Sequence, residues 1–364
     1  MKALRTSLLV LIAALVVMVA AAPAWAQTHG GTGILKIKPG SRATGMGQGG
    51  VALYQRAHSV WWNPAMLAQA RGKEFSSTIV KLVPDLADDV YYLNLGYASH
   101  LEGWGGIGID LMYLSYGETE AVSSEGESFG FFSSYELVPV VGFGTRLIGG
   151  AEDEWGTGGP LGSFDVGVSL KYVWVDLAPD WAMGIVGESK DGRADAFAVD
   201  LGCLMRGVVG PFPYALGLNI QNLGSKLVYI DADQGDPLPR NLKAGFALSA
   251  YESPGFSVVG VFDFNKSLIS YDTDDPYAVD SYFGWGDQKE LLNMGAEFVL
   301  RDRLSGRLGY VHDPEGEIEA MTFGLGLDLP ISGGSKLLRF DYSSVPQALD
   351  LDRVSYLSVG VLFQ

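Results

Sequence analysis

The segment Ser163–Asp176, SFDVGVSLKYVWVD, alternates between apolar side chains and small, polar or charged ones, and only Val173 and Val175 depart from the rule. Successive side chains of a β-strand point to opposite faces, so one face of this segment is broad and apolar. At about 3.3 Å per residue the segment exceeds an ordinary soluble strand and is long enough for a tilted crossing of a bilayer. The apolar face consists of Phe164, Val166, Val168, Leu170, Tyr172 and Trp174.

The same alternation returns along most of the chain and predicts about fourteen strands. An even count is typical of bacterial outer-membrane barrels. After the N-terminus no apolar run reaches about 18 residues, which argues against a bundle of membrane helices. The predicted strands are residues 74–83, 90–99, 105–115, 135–147, 163–176, 194–206, 213–222, 241–250, 256–264, 290–300, 304–312, 320–329, 335–344 and 354–363.

The connections between these predicted strands differ in length at the two ends. Those that follow odd-numbered strands are the longer ones, and residues 148–162 are the exception. Outer-membrane barrels combine short periplasmic turns with longer external loops. The sequence therefore predicts an all-β fold, a transmembrane antiparallel β-barrel whose two termini face the periplasm.

The polar faces of the predicted strands carry Gly, Ser and isolated charges of both signs. A water-exposed face of a protein as acidic as this one would instead be mainly acidic, so we predict a filled lumen with paired charges. We also expect Trp104, Tyr116, Trp174 and Tyr229 to form interfacial girdles. The predicted lumen charges are Asp165, Lys171, Asp200, Arg206, Lys243, Glu297, Arg307, Arg339 and Asp341.

Residues 1–26 have the pattern of a cleaved secretory signal peptide. Lys2 and Arg5 precede an apolar stretch at residues 8–22, and Ala-Trp-Ala at 24–26 is a small-x-small cleavage site. The alternative is a retained transmembrane anchor. Cleavage would begin the mature chain at Gln27 and export it towards the outer membrane.

Residues 27–73 lack period-two alternation, and we predict an N-terminal plug or hatch that precedes a barrel of residues 74–364. A short helix is expected near residues 59–68, with Pro64 in its first turn or breaking it. The alternative is a flexible periplasmic tail, but Trp61 and Trp62 argue against it because disordered tails contain few aromatic residues.

Several motifs that could carry chemistry have simpler explanations. Residues 45–50 match GxGxxG without the βαβ context of a dinucleotide site, so we expect a tight glycine turn and no cofactor. The four His residues show no ligand spacing, and no nucleophile elbow is present, so we expect neither a metal site nor an enzyme. The acidic stretches 231–236 and 272–280 are expected to be solvated loops, with calcium binding as the alternative.

The net charge of −17, or −19 once Lys2 and Arg5 are removed with the signal peptide, disfavours nucleic acid as a partner. The single Cys203 cannot form an internal disulfide. It lies in phase with Phe197, Val199 and Leu201, which predicts a lipid-facing packing role. Outer-membrane lipid is therefore the first expected partner.

Two blocks near the N-terminus, PGSRATGMGQGGVAL at 39–53 and SVWWNPAMLA at 59–68, resemble the PorV/PorQ family of the wider FadL-type barrel group. The stretches NIQNLGSKL at 219–227 and PLPRNLKAGFAL at 237–248 are also similar. One departure is Ala57-His58-Ser59, where relatives often have acidic residues. The motif residues are Gly40, Arg42, Ala43, Gly45, Met46, Gly47, Trp61, Trp62, Asn63, Pro64 and Ala65.

The resemblance implies a fourteen-strand barrel with an N-terminal hatch, and it implies one of two functions. PorV-like members are accessory components of type IX secretion, which would make a translocon and exported cargo proteins the partners. FadL-like members pass hydrophobic small molecules, which would make such a compound the ligand. A structural or adhesive protein without transport is a third hypothesis.

Overall fold

The computed structural model describes most of the chain after residue 31. The signal peptide, the acidic stretch 272–280 and residues 231–234 lie outside the described residues, and so their predictions stay untested. The described residues are 32–84, 86–123, 125–149, 161–185, 192–229, 235–269, 290–314, 316–347 and 351–363.

Fourteen antiparallel strands form one closed barrel, in which each strand pairs with the next and β1 pairs with β14. This confirms the predicted fold class and strand count. Among the described residues, no helix has the length and hydropathy to cross a membrane. The strands are β1 Lys73–Lys81, β2 Val90–Leu101, β3 Gly105–Val122, β4 Ser128–Ile148, β5 Ser163–Asp176, β6 Arg193–Val209, β7 Phe212–Gly224, β8 Asn241–Ser253, β9 Phe256–Ser267, β10 Leu291–Leu300, β11 Leu304–Asp313, β12 Ile318–Ile331, β13 Lys336–Val345 and β14 Val354–Phe363.

The hairpin of β3 and β4 is longer than its sequence pattern predicts. Residues 116–134 were expected to be a loop, but they continue both strands and leave only 123–127 as the connection. The register shifts between Ser115 and Glu118, where Gly117 has a φ of +81°. Because a bulge of this kind changes which side chains face the lumen, it hides the period-two pattern beyond it.

The two faces of the strands have opposite chemistry. Large apolar side chains lie on the outside of the barrel, and Phe197 and Leu325 are each 66% exposed. In β12, Met321, Phe323 and Leu325 are exposed while Thr322 between them is fully buried. Lipid tails offer no hydrogen bonds, so a strand that faces them must pair its backbone N–H and C=O groups within the sheet. A closed barrel has no free edge and therefore meets this requirement.

The two ends of the barrel carry loops of different length. The long-loop end carries residues 82–89, 123–127, 177–192, 225–240, 268–290, 314–317 and 346–353. The short-loop end carries residues 102–104, 149–162, 210–211, 254–255, 301–303 and 332–335. Residues 149–162 remain the exception at their end, as the sequence pattern predicts.

Aromatic residues gather towards the long-loop end of β2, β3 and β4. The Tyr113 ring lies 5.9 Å from that of Tyr91 and 5.8 Å from that of Tyr135, measured between ring centroids. Trp104 is exposed at a turn of the short-loop end. Tyr229 does not belong to such a girdle; it follows β7 and packs, partly buried, against the hydrophobic core.

Candidate functional site inside the barrel

Residues 32–70, called here the N-terminal segment, lie against the inner faces of the strands. The segment consists of short helical pieces at Ile34–Lys36, Ser41–Gly45, Arg56–His58, Ser59–Trp62 and Pro64–Gln69. Its apolar side chains are almost completely buried and join residues of the inner wall in one hydrophobic cluster. Trp61 and Trp62 pack edge to face, with ring centroids 5.0 Å apart. The helix predicted at residues 59–68 is thus two helical pieces, Ser59–Trp62 and Pro64–Gln69. Asn63 separates them, and Pro64 is the first residue of the second.

Glycines of the wall let the N-terminal segment lie directly on the strands. A Cβ added at Gly309 would lie 1.8 Å from the Gly47 amide nitrogen, and one at Gly217 would lie 2.2 Å from the Val51 carbonyl oxygen. Gly47 itself has a φ of +68°. The wall glycines in this kind of contact are Gly106, Gly144, Gly167, Gly202, Gly217, Gly295 and Gly309. The sequence shows glycine on the polar faces but does not show that these glycines face one common segment.

Replacing Gly309 by alanine should destabilise the folded protein, because the new methyl group meets backbone that cannot rotate away. Overpacking of this kind costs about 1–3 kcal/mol in free energy of unfolding. The matched control is Gly306→Ala on the same strand, where an added Cβ meets nothing within 4 Å. Thermal unfolding in detergent measures both. Equal unfolding temperatures for the two variants would show that the segment does not rest on this wall.

The predicted family motif is brought together at the centre of this contact. Gly40 has a φ of +85° and precedes the helix that contains Arg42, Ala43 and Gly45. The Gly45 carbonyl accepts a hydrogen bond from Thr322 Oγ1 at 3.0 Å, and the Gly47 amide donates one to the same hydroxyl at 2.8 Å. The motif thus fixes the segment to strand β12.

The second half of the motif is fixed through Asn63 and the indoles. Asn63 Oδ1 accepts from the Ala65 amide at 3.1 Å and so caps the helical piece Pro64–Gln69. Asn63 Nδ2 donates to the Val51 and Cys203 carbonyls at 3.0 Å each. Trp62 Nε1 donates to the Pro39 carbonyl at 3.0 Å. Asn63 therefore joins the segment to itself and to strand β6.

Asn63→Ala should loosen the N-terminal segment, since it removes the cap and leaves the Val51 and Cys203 carbonyls without this donor. Loss of a helix cap costs about 1 kcal/mol in free energy of unfolding. The expected result is a lower unfolding temperature together with faster proteolysis within residues 32–70. Asn241→Ala, at the rim of the barrel, is the control. Unchanged cleavage and unchanged unfolding temperature would contradict the assigned role.

Seven of the predicted lumen charges form two groups of ion pairs. Glu297 contacts both Arg42 and Arg307, Arg307 contacts Asp341 at 2.6 Å, and Arg56 contacts Asp341 at 3.2 Å. On the far wall, Arg206 contacts Asp165 at 3.0 Å and Lys171 contacts Asp200 at 2.7 Å. We call the first group the Glu297 network.

Other residues of these networks are not evident from strand alternation alone. Arg42 and Arg56 come from the N-terminal segment, and Arg146 pairs with Asp165 at 2.7 Å. Arg339, an eighth predicted lumen charge, contacts Glu74 at 2.6 Å and Asp328 at 3.1 Å. A strand pattern shows that a charge faces the lumen but not which distant residue it meets.

Lys243, the ninth predicted lumen charge, forms no ion pair within the described part of the chain. It is 2% exposed, and its Nζ has no hydrogen-bond partner there. Its Nζ lies 3.9 Å from the centroid of the Trp61 ring and 4.8 Å from that of Trp62. The other predicted lumen charges form ion pairs, whereas Lys243 does not, because its neighbours across the sheet, Asn219 and Asn265, are neutral amides.

A cavity of about 440 Å³ opens beside Lys243 near the long-loop end. Its lining includes Lys36, Lys38 and Arg240 as further cations and Asp313 as an acid. Burial lowers the pKa of the Lys38 ammonium group to about 8, although Asp313 and Asp263 oppose the shift. No group of three His, Cys, Asp or Glu suited to a metal ion occurs in the part of the chain that the structure describes.

Solved structures with a similar fold include FadL-type outer-membrane proteins. A monoaromatic hydrocarbon channel, the TodX deltaS2 mutant, matches with a TM-score of 0.51 and 14% identity over 89% of this chain and 97% of that one. The toluene transporter TbuX of Ralstonia pickettii matches with a TM-score of 0.48 and 14% identity over 89% and 98%. A FadL homologue of Pseudomonas aeruginosa matches with a TM-score of 0.41 and 9% identity over 89% of this chain and 97% of that one.

No curated protein matches the chain. The family model described as "Type IX secretion system protein PorV" matches residues 26–273, which is more than half of the sequence. The closed barrel, its apolar outer face and this match make the chain an outer-membrane protein. It belongs to the PorV family of type IX secretion system proteins.

Proposed function

We propose that this protein serves protein export as an accessory barrel that meets a secretion translocon and its exported cargo at the outer membrane. The observation that carries the proposal is the PorV family match over residues 26–273. The proposal assigns no catalytic step to the chain.

The interior of the barrel supports an accessory role rather than an open pore. The N-terminal segment is joined to β10 by Arg42 and Glu297, to β13 and β14 by hydroxyl contacts, and to β6 by Asn63. Contacts on so many strands favour a stationary plug. In this proposal the long-loop end faces outward and offers its loops to the partners.

Deletion of the gene tests the proposal. We expect a set of exported proteins to disappear from the medium and the cell surface and to accumulate in the periplasm, and we expect the wild-type gene to restore them. A β-barrel of unrelated function expressed at the same level is the control for membrane disturbance. An unchanged secretome and surface proteome would contradict the proposal.

A second candidate function is passive uptake of a hydrophobic compound, and the FadL-type fold favours it. The cavity beside Trp61 is the candidate place for such a ligand. Accumulation of a labelled aromatic hydrocarbon in proteoliposomes separates the two functions. Uptake by the wild-type protein would support the second candidate, and its absence together with loss of secretion would support the first.

A further inference from the structure

Lys243 is a buried cation that finds no acceptor among the residues the structure describes, and it lines the cavity at the long-loop end. Its ammonium group lies over the face of the Trp61 ring, which attracts the charge by a cation–π interaction. The ring has no oxygen or nitrogen lone pair that could accept a conventional hydrogen bond from the ammonium group. A buried charge that lacks hydrogen-bond partners is unfavourable, so a site of this kind invites an acceptor from outside the chain.

Acids near Lys243 do not fill this role. Among the described residues no carboxylate lies within ion-pair distance of its Nζ, whereas Lys171 on the same wall meets Asp200 at 2.7 Å. Asp263 on the adjacent strand β9 accepts from the Gly50 amide at 2.6 Å and from the Val51 amide at 2.9 Å, and these bonds hold its Oδ2 towards the N-terminal segment.

The rest of the cavity has the chemistry of an anion site. Among the described residues that line it, four are cations, Lys36, Lys38, Arg240 and Lys243, and one is an acid, Asp313. This excess of positive charge occurs in a protein whose formal net charge is −17. Trp61 forms part of the same lining, and its buried Nε1 has no partner in the described ranges either.

We propose that this cavity binds a small organic oxyanion, a carboxylate or a phosphate ester, through the Lys243 ammonium group. Such an anion completes the charge-assisted hydrogen bonds that the chain itself leaves unmade. The apolar side chains of Leu35, Ile269 and Leu291 at the same cavity leave room for a short carbon chain on the bound anion. This binding does not depend on whether the protein serves export or uptake.

Titration calorimetry on the full-length protein in a nonionic detergent tests the proposal with butanoate and methyl phosphate as probes. We expect one of them to bind with one-to-one stoichiometry, and we expect Lys243→Met to weaken that binding about tenfold or more, as loss of a charge-assisted bond does. If butanoate alone binds, the ligand is a carboxylate; if methyl phosphate alone binds, it is a phosphate ester.

Two further variants keep the result decisive. Lys336→Met is the matched control, because Lys336 also lies over an aromatic ring, that of Phe363 at 5.2 Å, but on β13 and away from the cavity. It should bind like the wild type. Lys243→Arg keeps the charge and should retain most of the affinity, which covers the case in which Lys243→Met fails to fold. Absence of binding by the wild type, or equal binding by Lys243→Met, would overturn the proposal.

Discussion

Glu297→Gln should lower the free energy of unfolding by about 3 kcal/mol, the low end of the cost of breaking a buried ion pair. Glu297 is 2% exposed and accepts from Arg42 Nε at 3.0 Å and from Arg307 Nε at 2.7 Å. The amide keeps the shape of the side chain but removes the negative charge between two guanidinium groups. The loss is limited because Arg307 keeps Asp341 as a partner.

Denaturant titration of the purified barrel measures this effect, and Glu319→Gln is the control. Glu319 pairs with His312 at 3.0 Å, but its side chain is 63% exposed, so the expected loss is below about 1 kcal/mol. Similar losses for the two variants would mean that the Glu297 network is open to water. The N-terminal segment would then not be held in the lumen by charge.

Leu325→Arg should cost about 2–4 kcal/mol in free energy of unfolding in a lipid bilayer, because it places a charge near the middle of the outer face. Leu325 lies in the centre of β12, opposite Gly306 and Tyr342 on its neighbours. The measurement is reversible unfolding in vesicles, or the yield of folded barrel where unfolding is not reversible.

The control for this variant is the same substitution at a different depth. Leu304 begins β11 at the short-loop end and is 52% exposed, so Leu304→Arg should cost only about 0–1 kcal/mol. A depth-independent cost, or no cost at either position, would mean that this face does not contact lipid tails.

The strands could be predicted from the sequence because lipid imposes a local rule. Every second residue of a spanning strand must be apolar, and β5 over residues 164–174 and β12 over residues 321–331 obey this rule. Periodicity alone therefore predicts where these strands lie and which of their side chains face lipid. The rule weakens at the β3–β4 hairpin, where the bulge at Gly117 changes the phase and the sequence pattern ends too early.

The interior could be predicted only in outline, because its contacts join residues far apart in the chain. Arg42 meets Glu297 and Gly47 meets Gly309, and nothing local in either stretch indicates the other. Asn63 is the exception: an asparagine directly before a proline is a local signal for a helix cap, and Asn63 Oδ1 does accept from the Ala65 amide. The unpaired state of Lys243 also depends on distant neighbours.

The central claim is that the N-terminal segment lies in the lumen of a lipid-embedded barrel, and a disulfide between the segment and the last strand tests it most directly. Ser41 Oγ lies 2.7 Å from Ser358 Oγ, and Ser358 is buried on the inner face of β14. Both serines would be changed to cysteine in a Cys203→Ala background, with Ser41 and the outward-facing Ser355 as the control pair.

Oxidation in isolated outer membranes should cross-link the Ser41–Ser358 pair and leave the control pair reduced. The product is recognised by its faster migration when denatured without reductant, because the bond closes nearly the whole chain into a loop. A cross-link in the control pair, or none in the Ser41–Ser358 pair, would contradict the account.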